Sequence, residues 1–250
     1  MVKIACITGV TSGIGKATAA YFVKEGWKVI GAGRRAERLQ ELARTLGTNF
    51  FPLQLDIRDQ EAVNRAFASL PQAFTPVDLL VNNAGLALGM ETAWEASLED
   101  WDTMVDTNIK GLLYCTRALL PDMVKRNHGH IINVGSVVGA MPYAKGNVYS
   151  ASKGFVEMFS ANLKCDLFGS KVRVTNFEPG MLESEFSLAR FRGDGERAAA
   201  VYKNIDALAP EDLSQTIYYV ANLPEHINVL RIQVVPTSMD LGGIKMAPKG

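Results

Sequence analysis

An apolar run, a glycine-rich turn, a helical pattern and a second apolar run open the chain in that order, and few folds accept such an opening. Residues 3–8, β-branched at Ile4 and Ile7, lead into Thr8-Gly9-Val10-Thr11-Ser12-Gly13-Ile14-Gly15. Ala17, Ala20, Tyr21 and Phe22 begin a helix, Gly26 ends it, and 27–32 is apolar again. Strand, turn, helix, strand is the setting in which a Gly-x-x-x-Gly-x-Gly turn acquires meaning. Its glycines let backbone N–H groups approach a pyrophosphate lying at the positive end of the helix. The candidate cofactor residues of the turn are Gly9, Thr11, Ser12, Gly13, Ile14 and Gly15. The expected architecture is α/β: a Rossmann-type, doubly wound parallel sheet of about seven strands, with helices on both faces.

The end of the second strand reads Gly31-Ala32-Gly33-Arg34-Arg35. An NAD-binding unit carries an acid about 20 residues after the turn, where it holds the ribose 2′-hydroxyl. No acid stands here. Arg34 and Arg35 instead offer guanidinium forks that match a 2′-phosphate, so the expected cofactor is NADP(H). Residues 50–55 form a third strand containing Pro52, which an edge strand tolerates and a central one does not. The third strand is the edge of its half in the order 3-2-1-4-5-6, so the two facts agree. Asp56 and Ile57 follow at the strand's cofactor end, and Asp59 is the better cap for the helix over 60–70.

A fourth strand over 77–81 ends in Asn82-Asn83-Ala84-Gly85, where small residues let the chain pass close to the cofactor; Asn83, Ala84 and Gly85 are candidates. Residues 98–125 are helical, with a break expected near Gly111. Asn108 lies in that interior, where an Asn is mildly unfavourable and therefore needs a partner or a task. A nearly all-apolar fifth strand ends at Ser136, as a strand covered on both faces should. Tyr149 and Lys153 are four apart and so share one face of the next helix. A free tyrosine, with a pKa of about 10, is a poor base at neutral pH; a neighbouring ammonium is expected to lower it. Residues 171–177 form a sixth strand closed by Glu178-Pro179-Gly180. Residues 181–206 lack periodicity at the ligand edge and are read as a substrate lid. A helix over 210–223, a last strand over 229–235 and a tail over 237–250 complete the chain.

Composition excludes several classes. Lys+Arg 26 against Asp+Glu 26 gives a formal net charge of +0, which offers no electrostatic case for nucleic acid or an anionic membrane. No apolar run reaches membrane-helix length and no signal segment opens the chain. Cys6, Cys115 and Cys165 are odd in number and widely spaced, as in a reducing compartment, and a cytoplasmic location is expected. His128, His130 and His226 form no convincing metal site. Nothing divides the chain, so one domain over 1–250 is expected, with a tail over 237–250 ordered only if something holds it.

Thr8-Gly9-x-x-x-Gly13-x-Gly15, Asn82-Asn83-Ala84-Gly85, Asn108, Ser136, Tyr149-x-x-x-Lys153 and Pro179-Gly180 stand in order along the whole chain. In this it resembles the short-chain dehydrogenase/reductase family. The resemblance implies a catalytic group of Asn108, Ser136, Tyr149 and Lys153. Tyr149 moves the proton; Lys153 holds the nicotinamide ribose and lowers the Tyr149 pKa; Ser136 orients the carbonyl or alcohol; Asn108 supports a water relay. Within the family, 83–91, 126–133, 146–149 and 190–194 are similar to NADP-dependent 3-hydroxy acid dehydrogenases and to sulfoacetaldehyde reductases. Both substrate groups are small anions, so a lid cation is expected to bind them: Arg190, with Arg192 in reserve. Tyr143 and Asn147 complete the expected substrate contacts. After Pro179-Gly180 the family often places a Thr; here Met181-Leu182-Glu183-Ser184 offers Ser184. The family also often places a basic residue where this chain has Ser12, which leaves phosphate selectivity to Arg34 and Arg35. The helices bearing Asn108 and Tyr149 carry apolar residues on more than one face; in the family they pack against a second subunit, so the resemblance implies a homotetramer, or a dimer failing that. The alternatives are a reductase of a bulkier ketone, of 3-oxoacyl or steroid type, and a non-catalytic NADP-binding scaffold. A scaffold, however, should have lost part of the Ser/Tyr/Lys set.

Overall fold

The computed structural model describes residues 2–240 and the backbone of 245–246. Seven parallel strands form one sheet in the order β3-β2-β1-β4-β5-β6-β7. They are β1 (Ile4–Thr8), β2 (Lys28–Gly33), β3 (Phe50–Gln54), β4 (Leu79–Asn82), β5 (His130–Val134), β6 (Arg173–Pro179) and β7 (Arg231–Val234). Parallel strands require crossovers, and helices supply them on both faces. These are α1 (Gly13–Lys24), α2 (Ala36–Leu46), α3 (Gln60–Ala68), α4 (Leu98–Val105), α5 (Leu112–Arg126) and α6 (Asn147–Asp166). Two short helices, α7 (Phe186–Arg190) and α8 (Gly195–Ala200), precede α9 (Pro210–Ala221).

Period-2 alternation sends successive strand residues into two cores. Cys6, Ile30, Leu80 and Ile131 pack with Met123 and Leu163 on one face. Ile7, Val29, Val81 and Ile132 pack with Phe22, Leu213 and Ile217 on the other. Each such side chain contributes about 1.5–3 kcal/mol by leaving water, so a sheet buried on both sides is self-consistent. Pro52 lies in β3 at the edge, paired with Gly31. Asp59 caps α3, its carboxylate accepting from Ala62 N at 2.9 Å.

Order 3-2-1-4 reverses direction at β1 and β4, which opens a crevice at the strands' C-terminal ends. The glycine turn, Asn83, Ser136 and Pro179 all stand along it.

Three local features differ from the sequence reading. The break expected near Gly111 is a π-helical segment, Asp106–Gly111, joining α4 to α5. β5 stops at Val134, and Ser136 instead starts a 3₁₀ turn, Val137–Gly139. Residues 181–206 are not patternless, since α7 and α8 lie there, each too short to show a period. Met239–Asp240 pairs with Lys245–Met246 as an antiparallel ladder, β8 and β9. Apart from that ladder, residues 241–250 of the expected tail lie outside the described residues.

Candidate active site

One cavity of about 610 Å³ runs along the crevice. Its lining collects most of the residues singled out in the sequence: Gly9, Thr11, Ser12, Gly13, Ile14, Arg34, Arg35, Asp56, Ile57, Asn83, Ala84, Gly85, Ser136, Tyr143, Tyr149, Lys153, Pro179, Gly180, Met181, Leu182, Ser184 and Arg190. Gly15, Asn108 and Asn147 do not line it.

The glycine turn is built for close approach. Gly9 and Gly13 adopt φ of +74° and +52°, conformations that L side chains rarely take. Gly15 lies beneath, where a Cβ would strike Gly9 O and Asn83 Nδ2. Asn83 Nδ2 donates to Thr8 O at 2.8 Å, and the Asn83 and Ala84 amides donate to Thr8 Oγ1 at 3.1 and 3.0 Å, which pins the turn to the end of β4. Asn82 points the other way, donating 2.9 Å bonds to Thr116 Oγ1 and Asn133 Oδ1 inside the core. Ser12 makes no side-chain cap on α1, and no acid stands in the helix's first turn. The first-turn N–H groups therefore remain available to an anion, as a pyrophosphate requires.

At the mouth, Arg35 Nε and Nη2 donate to Thr11 Oγ1 at 2.9 and 2.7 Å, and Nη2 also to Ser12 Oγ at 2.9 Å. Arg38, absent from the sequence reading, joins it: its Nη1 donates to Thr11 O at 3.1 Å and pairs with Glu185 at 2.7 Å. Arg35 reaches the same carboxylate at 3.3 Å. Burial works to raise the Glu185 pKa, yet the Arg38 and Arg35 guanidiniums outweigh it and hold the carboxyl below its usual value. The signal for Arg38 was its place in the first turn of α2, which Arg35 immediately precedes. Glu185 had no local signal, because 150 residues separate it from Arg35. Arg34 lines the cavity without a hydrogen-bond or ion-pair partner for its side chain among the described residues. Asp56 lines it too, but Arg58 takes up its carboxylate at 2.6 Å, and that bond holds the Asp56 pKa down. Ser184 Oγ accepts from Phe186 N at 3.3 Å.

The opposite end holds Ser136, Tyr149 and Lys153. Lys153 is 6% exposed, and its Nζ donates to Val134 O at 2.8 Å and stands 5.9 Å from the Tyr149 ring centroid. Burial lowers its pKa to about 8. The Tyr149 pKa departs from expectation. Burial pushes it up to about 12, reinforced by Tyr143, while a hydrogen bond with Ser136 and the Arg190 charge pull it down less strongly. The expected lowering by Lys153 is not found: desolvation of the phenolate dominates, and the cation that draws the phenol down is Arg190.

Asn108 lies in the π-helical segment, where its amide fastens both backbone groups of Leu86, accepting from N at 2.9 Å and donating to O at 2.8 Å. It also donates to Ser152 Oγ at 3.0 Å. Gly85 leaves the space between Asn108 and Lys153: a Cβ there would stand 3.2 Å from Asn108 Oδ1 and 3.5 Å from Lys153 Nζ.

Arg190, at the end of α7, donates from Nη2 to Tyr143 Oη at 2.6 Å and from Nε to Gly89 O at 3.2 Å. Its guanidinium carbon stands 5.7 Å from the Tyr143 and Tyr149 ring centroids. Arg192, the reserve, is paired instead with Asp100 at 2.7 Å, away from the main cavity. Asn147 turns outward and donates to Glu91 O at 3.2 Å. Tyr202, unforeseen, lines the cavity and shares a 2.6 Å hydrogen bond with Ser187. Among the described residues no group of three or more His, Cys, Asp or Glu side chains could hold a metal ion, and no helix is long and apolar enough to cross a membrane.

A nucleotide-binding crevice beside a Ser/Tyr/Lys group defines a class, and comparison identifies it. The short chain dehydrogenase family model matches residues 3–194, and the chain belongs to that family. It is 52% identical to the NADP-dependent 3-hydroxy acid dehydrogenase YdfG of Escherichia coli strain K12, over 97% of this chain and 98% of that one. It is 49% identical to the serine 3-dehydrogenase of Agrobacterium fabrum, over 96% of each. Among solved structures, a closed form of serine dehydrogenase complexed with NADP+ superposes with a TM-score of 0.95 at 51% identity, covering 98% of this chain and 99% of that one.

Proposed function

We propose that the chain is an NADP-dependent oxidoreductase that interconverts a small anionic 3-hydroxy acid, or a sulfonated alcohol, with its carbonyl form. One observation carries this reading. Within a single cavity, a phosphate-cradling turn flanked by guanidiniums stands at one end, and Ser136, Tyr149, Lys153 and a cationic lid residue stand at the other. Relatives named as NADP-dependent 3-hydroxy acid and serine dehydrogenases support it at about half identity.

Bound NADP(H) supplies the hydride donor or acceptor. Gly9 to Gly15 and the N-terminus of α1 hold the pyrophosphate, and Arg35, Arg38 and Arg34 hold the 2′-phosphate. Pro179, Gly180, Met181, Leu182 and Ser184 line the nicotinamide side. Arg190 binds the substrate carboxylate or sulfonate through donors left beside its bond to Tyr143. Ser136 donates to the substrate oxygen as charge grows there. Tyr149 gives that oxygen its proton in reduction and removes it in oxidation. With its pKa near 12, the phenol holds its proton at neutral pH, the form that suits reduction. Lys153 holds the nicotinamide ribose and, with Asn108 behind it, carries protons onward to solvent.

Residues 181–206 act as the lid, with α7 its working part. Phe155 and Phe159 stack at 5.8 Å on α6, and Met158 beside them is 62% exposed; we assign this face to further copies of the chain in a cytoplasmic homotetramer, which light scattering tests.

The function is tested by turnover of serine, 3-hydroxypropionate and 3-hydroxyisobutyrate with NADP+ and of sulfoacetaldehyde with NADPH, in the wild type and Arg190→Met. Turnover of at least one is expected, with KM raised roughly 10- to 100-fold in the variant, the worth of about 1.5–3 kcal/mol for a charged hydrogen bond. Turnover only of long uncharged ketones, indifferent to Arg190, would point to the bulkier-substrate alternative.

A further inference from the structure

Glu185 stands where its charge conflicts with the cofactor. Its two oxygens lie 2.7 and 2.9 Å from Arg38 Nη1, and one lies 3.3 Å from Arg35 Nη1. Arg35 spends its other donors on Thr11 and Ser12, the first polar residues of the glycine turn. The carboxylate therefore closes a ring over the mouth of the cavity, on the donors that a ribose 2′-phosphate needs. It is also the residue immediately before α7, whose last residue is Arg190, so one short helix links both ends of the cavity.

We infer that Glu185 is a cofactor-selectivity residue: an internal anion on the Arg35–Arg38 pair that a 2′-phosphate must displace. This rests on NADP(H) being the cofactor. A phosphate with close to two negative charges outcompetes a single carboxylate for the same forks. NAD(H), lacking that phosphate, leaves Glu185 paired. Glu185 thus weakens NADP(H) binding without touching NAD(H) binding, and it keeps the guanidiniums aligned meanwhile. The three side chains are nearly half exposed, 42–45%, so the effect is modest.

The test is calorimetric binding of NADP+, NAD+, 2′-AMP and 5′-AMP to the wild type, Glu185→Gln, Arg38→Gln and the double variant. Expected for Glu185→Gln is NADP+ and 2′-AMP binding about two- to five-fold tighter, the range an exposed ion pair allows, with NAD+ and 5′-AMP unchanged. Arg38→Gln weakens NADP+ and 2′-AMP, and in the double variant the gain from Glu185→Gln disappears. Equal or weaker NADP+ binding in Glu185→Gln overturns the inference. So does equal tightening of NAD+, which would mark a general effect on the lid. A wild type that binds NADP+ no better than NAD+ would overturn the cofactor reading itself, whatever the variant does.

Discussion

Burial acts in opposite senses on the two titratable groups of the cavity floor, because it disfavours charge on either. It raises the Tyr149 phenol to about 12 and lowers the Lys153 ammonium to about 8. The lysine has a consequence for stability. In the unfolded chain it keeps its proton to about pH 10.4, whereas in the folded chain it loses it near 8. Between these values the unfolded state binds more protons, so this contribution to stability grows as pH rises and is absent below 8. Urea midpoints of the wild type and Lys153→Met at pH 7.5 and 9.5 check it. The wild type should gain on the variant by on the order of 1 kcal/mol across that interval. A constant or shrinking difference would mean that Lys153 titrates normally. At this scale the sequence was legible wherever spacing brings residues together, as in Tyr149-x-x-x-Lys153. It was not legible where desolvation decides a pKa, since burial depends on elements remote in sequence.

The site depends on elements that approach more closely than side chains allow. The 3₁₀ turn Val137–Gly139 lies against α6 so tightly that a Cβ on Gly139 would stand 2.9 Å from the Lys153 carbonyl carbon and oxygen. Both neighbours are backbone, so the turn or the helix must move, and Ser136 and Tyr149 ride on those two elements. Gly139→Ala should cost about 1–3 kcal/mol, as overpacking does, which lowers Tm by roughly 3–10 °C in a domain of this size. Gly195→Ala is the control, because nothing lies within 4 Å of the added atom. Equal Tm values for the two variants would show that the turn has slack. Among the elements, the glycine turn and the Pro52 edge strand could be read because each carries its own local signature. The π-helical segment could be located, at Asn108 and Gly111, but not typed, and the partner of the Asn108 amide, Leu86, lies 22 residues away in sequence. The short helices α7 and α8 are less than two helical turns long, too brief for periodicity to register.

At the scale of the whole molecule, the strand order converts one long chain into one cavity. Reversal at β1 and β4 gathers the ends of β1, β2, β4, β5 and β6 along a single edge. The order was legible because buried parallel strands read as near-continuous apolar runs and because right-handed crossovers leave few alternatives. The contact between α2 and the residue before α7 was not legible, since nothing near Arg38 in sequence announces Glu185. The central claim is that the two ends of this cavity serve one reaction, with the proton passing through Tyr149. The most direct measurement is absorbance at the reduced-nicotinamide band for wild type and Tyr149→Phe, with NADP+ binding measured on the same samples. The account predicts cofactor binding within about two-fold of wild type and a turnover loss of roughly 100- to 10,000-fold, the range for a removed acid/base group. A Tyr149→Phe variant that binds NADP+ and turns over like the wild type would contradict it.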